Sequence, residues 1–174
     1  MTEASKAIDY WTPLSLWTPL DKEFGFTLDS AASEENALCN RYMGPIVGGP
    51  DDNPGRTHYK QRVAEDGLRA RWSGERVWCN PPYGGQEGEW VLKAYREVFL
   101  YPDPAELVVM LLPNKTDRPW FHAAIWDKDI HGPRRGVQIR FIEKRVAFEG
   151  PHNPQKRGAA FESMIVVMRG STTS

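Results

Sequence analysis

Little in this sequence announces a compartment, a metal or a membrane. The longest apolar run, Leu107 to Pro113, is far too short to cross a bilayer. Met1 to Tyr10 lacks the basic-then-apolar build of a secretory signal. There are only two cysteines, Cys39 and Cys79, and their spacing fits neither a disulfide framework nor a metal site. Both are read as reduced, small buried hydrophobes of a cytoplasmic protein. No repeat, low-complexity block or metal-ligand cluster is visible, so no membrane or metal partner is expected. Charge of one sign is also missing: the net charge is -1, which does not mark the whole chain as a nucleic-acid binder.

What is present is an ordinary globular composition at a length, 174 residues, that suits one domain spanning 1–174. Charge is unevenly spread. Met1 to Asn114 holds 11 Lys and Arg against 17 Asp and Glu, whereas Lys115 to Ser174 holds 11 against 6. Such polarity can give one end of a fold a phosphate-facing surface.

The apolar pattern alternates between strands and helices. Phe26 to Leu28 is a short β-prone run that stops at Asp29. Ser33, followed by Glu34 and Glu35, predicts a capped helix start. Gly44 to Gly55 is dense in turn formers and predicts a long surface loop, reaching to about residue 60. Arg76 to Cys79 reads as a strand broken by Asn80-Pro81-Pro82. Glu89 to Leu100 has helical spacing, ended by Pro102 and Pro104. Leu107 to Leu112 predicts a central strand buried on both faces. Asp117 and Pro119 open a helix through about Trp126. Val137 to Ile142 and Arg145 to Phe148 predict paired strands, and Met164 to Met168 a last buried one. Together these predict an α/β domain with a mostly parallel sheet and a closing antiparallel hairpin.

The chemistry concentrates in Asn80-Pro81-Pro82-Tyr83, at the carboxyl end of a strand, where open α/β sheets bind ligands. The Asn80 side chain and the Pro81 backbone each offer a carbonyl acceptor. Two acceptors converging on one planar NH2 group would draw its lone pair out of conjugation and aim it at an electrophile, with placement supplying much of the rest. Tyr83 offers a face on which a base turned out of a duplex can stack.

These four residues resemble the amino-methyltransferase motif (D/N/S)-P-P-(Y/F/W). From Trp11 to Met168 the chain resembles the phage-type DNA N6-adenine methyltransferase family, often called the phage Dam family. The matches run in order through Trp11-Thr12-Pro13, Leu28-Asp29-Ser30-Ala31-Ala32, Asn36-Ala37-Leu38-Cys39, Asp66-Gly67-Leu68, Cys79-Asn80-Pro81-Pro82-Tyr83, Leu111-Leu112-Pro113 and Arg145-Val146-Ala147-Phe148. The resemblance implies a Rossmann-like S-adenosylmethionine-dependent methyltransferase fold and methyl transfer to the N6 amine of adenine in DNA, in the host cytoplasm if the chain is encoded by a phage. Thr12 and Pro13 would approach the methionine carboxylate of the cofactor. Asp29, with Ala31 in the small-residue loop after it, would bind the methionine part. Asp66, which just precedes the strand before Asn80, would accept from the cofactor's adenine amine. One departure stands out: the segment after the first strand, Asp29 to Ser33, has no glycine, where many methyltransferases are glycine-rich.

For DNA, the basic candidates are Arg134, Arg135, Lys144, Arg145, Lys156 and Arg157. With no separate recognition domain, base reading would fall to two irregular segments. Gly44 to Tyr59 holds Arg56 and His58, with Lys60 just beyond. Glu149 to Ala160 holds His152, Asn153 and Gln155. That predicts a short or loose site. An acceptor pair suits any planar NH2 group, so an RNA amine or a protein glutamine amide remains an alternative substrate at this point, as does a non-catalytic nucleic-acid binder.

Overall fold

The structure is a computed structural model, described here for residues 10–45, 60–151 and 153–170. Helix α1 spans Leu14–Phe24 and is stopped by Gly25, whose left-handed φ of 61° closes the last turn onto the Asp21 carbonyl. Strands β1 (Leu28–Asp29), β2 (Arg41–Met43), β3 (Gln61–Ala64) and β4 (Arg76–Cys79) follow. Next come α2 (Glu87–Phe99), β5 (Leu107–Pro113) and α3 (Pro119–Ala124). A two-stranded ribbon of β6 (Trp126–Asp127) and β7 (Gly132–Pro133) leads to β8 (Val137–Phe141) and β9 (Ser163–Arg169).

Seven strands form one sheet in the order β3-β2-β1-β4-β5-β9-β8. The first five are mutually parallel, and β9 runs antiparallel to both β5 and β8. The chain moves outward from β1 through β2 to β3, then returns to β4 beside β1 and moves the other way. The carboxyl ends of β1 and β4 therefore flank the point where strand order reverses, and Asp29 lies in register with Trp78.

All seven residues of β5 are buried, as expected of a strand covered on both faces. Val108, Met110 and Leu112 join Val77, Cys79, Val166 and Met168 against α2 and α3. Leu107, Val109 and Leu111 join Trp78, Ile165 and Val167 on the other face, beneath Leu20 and Phe24 of α1. Cys39 and Cys79 are both free and buried, and burial pushes their thiols well above the usual range.

Two expected elements do not form. No helix follows Ser33. Its backbone N–H is taken by Asn36 Oδ1 at 2.7 Å, and the segment closes after one turn, with Ala37 N–H donating to the Ser33 carbonyl. Nor is Arg145–Phe148 a strand paired with β8. The partner of β8 is β9, which lies between β8 and β5, so both edges of β9 are used. Val146 and Phe148 are buried all the same, packed on the α1 side. The expected long loop from Gly44 to about residue 60 lies mostly outside the described residues, as do Arg56, His58 and His152.

Candidate active site

A proline pair ends β4 and leaves Asn80 at the sheet edge with its side chain tied on both sides. Its Nδ2 donates to the Tyr10 carbonyl at 2.5 Å and to Thr12 Oγ1 at 3.1 Å. Its Oδ1 accepts from the Tyr83 hydroxyl at 2.8 Å. A backbone carbonyl can only accept, so the amide nitrogen must be the atom facing Tyr10. Both N–H groups of the amide are then spent, while Oδ1 keeps a second lone pair. Among the described residues no N–H reaches the Pro81 carbonyl. The edge thus presents acceptors.

Tyr83 is 8% exposed, and its hydroxyl lies between Asn80 Oδ1 and the Leu111 carbonyl, 3.0 Å away. Nothing in the residue pattern marks that hydroxyl; the structure makes it a brace for Asn80. Burial raises its pKa well above the ordinary tyrosine value, so it remains a donor. The ring packs against Tyr10, Phe148 and Phe161 at centroid distances of 5.1, 5.8 and 5.5 Å. Tyr10 and Phe161 are the half-buried members of this aromatic cluster, and Tyr10 lines the cavity beside Asn80.

Asp29 stands across the switch point from Asn80. It is 3% exposed, and its carboxylate accepts from the Leu38 N–H at 3.0 Å and from the Ala31 N–H. Burial pushes its pKa up to about 6, against these two hydrogen bonds and the attraction of Lys60. Among the described residues this buried carboxyl makes no ion pair, and its chemistry can accommodate a cation. The segment that follows is knitted to its neighbours: Ser30 N–H to the Trp78 carbonyl, Ala32 N–H to the Met43 carbonyl, and Lys60 Nζ to the Ala37 carbonyl.

The missing glycines are supplied from neighbouring strands. A β-carbon on Gly44, just after β2, would lie 1.7 Å from the Ala32 carbonyl oxygen. One on Gly67, beyond β3, would lie 2.0 Å from that of Ser30. Backbone therefore approaches the Asp29–Ser33 segment closely, from the opposite side of the contact.

Two adjoining cavities follow this edge. One is lined by Thr12, Asp29, Asn80 and Pro81. The other, of about 260 Å³, is lined by Met43, Gly44, Pro45, Asp66, Pro82 and Trp90, and the two share Ala31, Ala32, Asn36 and Pro82. Asp66 thus borders the wider cavity, though it follows β3 and does not adjoin β4. Its Oδ1 also accepts from Leu68 N–H at 2.8 Å. Pro13 lines neither cavity and sits at the N-terminal cap of α1.

Beyond Tyr83, Gly84 and Gly85 take left-handed φ values of 98° and 110° and turn the chain into α2. Glu87, 2% exposed, receives Gly85 N–H at 2.7 Å and Lys115 Nζ at 2.6 Å. Burial alone would raise this carboxyl, but those partners outweigh it and hold the group below its ordinary value. The pair pins the turn after the tetrapeptide to the loop after β5.

The six basic candidates do not share a face. Lys144, Arg145, Lys156 and Arg157 lie between the end of β8 and the start of β9, at the edge that carries Asn80. Arg134 and Arg135 precede β8 and lie towards the other end. Next to them, Gly136 packs on Phe99 and Arg169, and Arg134 itself donates to the His122 carbonyl at 3.0 Å. Arg145 pairs with Glu162 and Lys156 with Glu149. Tyr10, Phe161 and the Glu87–Lys115 pair went unmarked in the sequence. Tyr10 acts through its backbone, which has no residue signature, and the others become neighbours only through the topology.

An open, mostly parallel α/β sheet with acceptors and a buried acid at its switch point defines a ligand-binding enzyme-like domain suited to an amine and a cation. Residues 2–48 and 49–173 match the family model described as DNA N-6-adenine-methyltransferase (Dam), and the chain belongs to that family. It is also 31% identical over 120 residues to the DNA N-6-adenine-methyltransferase of Escherichia phage T1. That alignment covers 67% of this chain and 40% of the relative, so the chain spans well under two thirds of that relative's length.

Proposed function

We propose that this chain methylates the N6 amino group of adenine in DNA, using S-adenosylmethionine. The observation that carries the reading is the Asn80 amide: its donors are consumed internally, so that Asn80 and Pro81 offer only acceptors to the groove. Such an edge favours a substrate that brings two N–H groups and disfavours a carbonyl. Asn80 Oδ1 and the Pro81 carbonyl accept the two hydrogens of the amine and turn its lone pair towards the cavity that Asp29 shares. Tyr83 holds Asn80, and the aromatic cluster around it offers a flipped base a face on which to stack. The interaction strengthens as the amine pyramidalises, so it acts on the transition state.

The residues present fit the cofactor. Buried Asp29 suits the ammonium group of the methionine part, and the Thr12 hydroxyl lies in the same cavity. The cavity of about 260 Å³ between Met43, Asp66, Pro82 and Trp90 suits its adenosine end. When bound, S-adenosylmethionine supplies an electrophilic methyl group on a sulfonium. The strand order, with β9 reversed between β5 and β8, supports a Rossmann-like methyltransferase fold. Family membership favours DNA over RNA or a protein amide. We read the chain as a single methyltransferase domain that recognises a short or loose site.

Mass spectrometry of nucleosides from DNA incubated with protein and cofactor is the direct test, with RNA and protein substrates in parallel. N6-methyladenine is expected from DNA only. Asn80→Ala should abolish it while leaving cofactor binding largely intact in calorimetric titration. Near-normal turnover in that variant would sink the mechanism.

A further inference from the structure

We infer that Thr12 is a positioning residue for Asn80: its hydroxyl and the Tyr10 carbonyl hold the amide with its oxygen turned to the substrate amine. The inference rests on the reaction proposed above and concerns what makes an asparagine effective in it. The two ends of a carboxylate are alike, but those of an amide are not. Turned by half a rotation, Asn80 would offer NH2 to an incoming NH2, donor against donor, and the reaction would lose one of its two acceptors.

The Tyr10 carbonyl, which can only accept, forbids that rotation. The rotation would set Oδ1 against that carbonyl, two acceptors at 2.5 Å. Thr12 Oγ1, which accepts from Nδ2, anchors the amide nitrogen once that orientation is set, although its hydroxyl could equally donate to an oxygen. The Tyr83 hydroxyl, which can donate to Leu111 while accepting from an amide, braces Asn80 without choosing its orientation. Tyr10 contributes through backbone and Tyr83 also through packing, so Thr12 is the member whose contribution is carried by one side-chain atom. Thr12 is 7% exposed, and its segment is fixed by the bridge between Trp11 and Glu149, with N–H···O distances of 3.1 and 2.7 Å. The hydroxyl is therefore held where Asn80 needs it. The same contacts make asparagine specific here: an aspartate would bring a carboxylate oxygen against the Tyr10 carbonyl.

Thr12→Val keeps the shape and removes the acceptor. It should lower kcat for methyl transfer about fivefold or more, the scale of one hydrogen bond, with KM for DNA within about twofold of the parent. Thr12→Ser should restore kcat. Asn80→Asp should lose most activity although it keeps an acceptor oxygen. An independent readout needs no turnover: both Asn80 side-chain amide protons should exchange slowly by NMR in the parent protein, and one should lose protection in Thr12→Val. Free exchange of both protons in the parent would overturn the inference. So would a Thr12→Val variant with unchanged kcat, or one in which only KM for S-adenosylmethionine rises. Failure of the parent to methylate DNA would refute the proposed function, whereas the amide spectra would still decide the role of Thr12.

Discussion

At the scale of single residues, Asp29 carries a testable cost. Its pKa is about 6 in the folded protein against an ordinary 3.8, because burial disfavours the charge. The folded state thus holds this proton more tightly than the unfolded chain. The resulting stability is full below about pH 4 and is lost as pH rises through about 6, a span of about 3 kcal/mol. Urea unfolding between pH 4 and 7 should therefore show Asp29→Asn gaining on the parent as pH rises; parallel curves would mean that Asp29 is not buried as described. A cation at the site reverses the preference. S-adenosylmethionine should bind more tightly as pH rises through 6 and release a proton near that pH, detectable by titration calorimetry in buffers of different ionisation enthalpy. The Asn-Pro-Pro-Tyr run and the strand-ending Asp29 were legible because their residue types carry the chemistry. Tyr10 was not, because a backbone carbonyl looks the same in every residue.

At the scale of elements, the sheet edge depends on close backbone approaches that a side chain would block. Gly67 lies against the Ser30 carbonyl and Trp90, and Gly88 of α2 against the Trp120 ring of α3, where a β-carbon would come within 2.8 Å. Gly67→Ala should cost about 1–3 kcal/mol or more by overpacking, and should weaken S-adenosylmethionine binding because it displaces the segment after Asp29. Gly88→Ala should destabilise on a similar scale and leave affinity nearly unchanged, since neither Gly88 nor any α3 residue lines the two cavities. Thermal melts with and without cofactor separate the two; equal loss of affinity in both would contradict this assignment. Most elements were readable from apolar periodicity: β4, β5, α2 and β9 fall within a residue or two of expectation. Helix α1 went unread, since Pro19 interrupts its pattern while Leu20 and Phe24 still anchor one face. Short β2 and β3 carry too few residues to show a period. The Arg145–Phe148 pattern did mark burial, but Val146 and Phe148 pack on the α1 side of the sheet and leave the outer edge of β8 unpaired among the described strands, a placement that only the assembled sheet defines.

At the scale of the whole molecule, charge is sorted by the strand directions. Of the four basic residues at the Asn80 edge, Arg145 and Lys156 are already paired with Glu162 and Glu149, while no described carboxylate lies within 4.0 Å of Lys144 or Arg157. Alanine at Lys144 and at Arg157 should each flatten the salt dependence of DNA binding by about one unit of slope, whereas Arg134→Ala and Arg135→Ala should not change it. Equal effects at all four would mean that DNA wraps both ends of the sheet. The halves of differing charge were visible in the sequence; their division between opposite ends was not, because β8 carries the chain from one end to the other. The position of β9 bears on synthesis as well. It is the last described strand to be translated, yet it lies inside the sheet, between β5 and β8. Until it arrives, the wholly buried β5 has one open edge, and Phe161 has not reached Tyr83. A ribosome-bound intermediate stalled before Ser163 would therefore be both inactive and a target for chaperones, and competence would appear late and all at once.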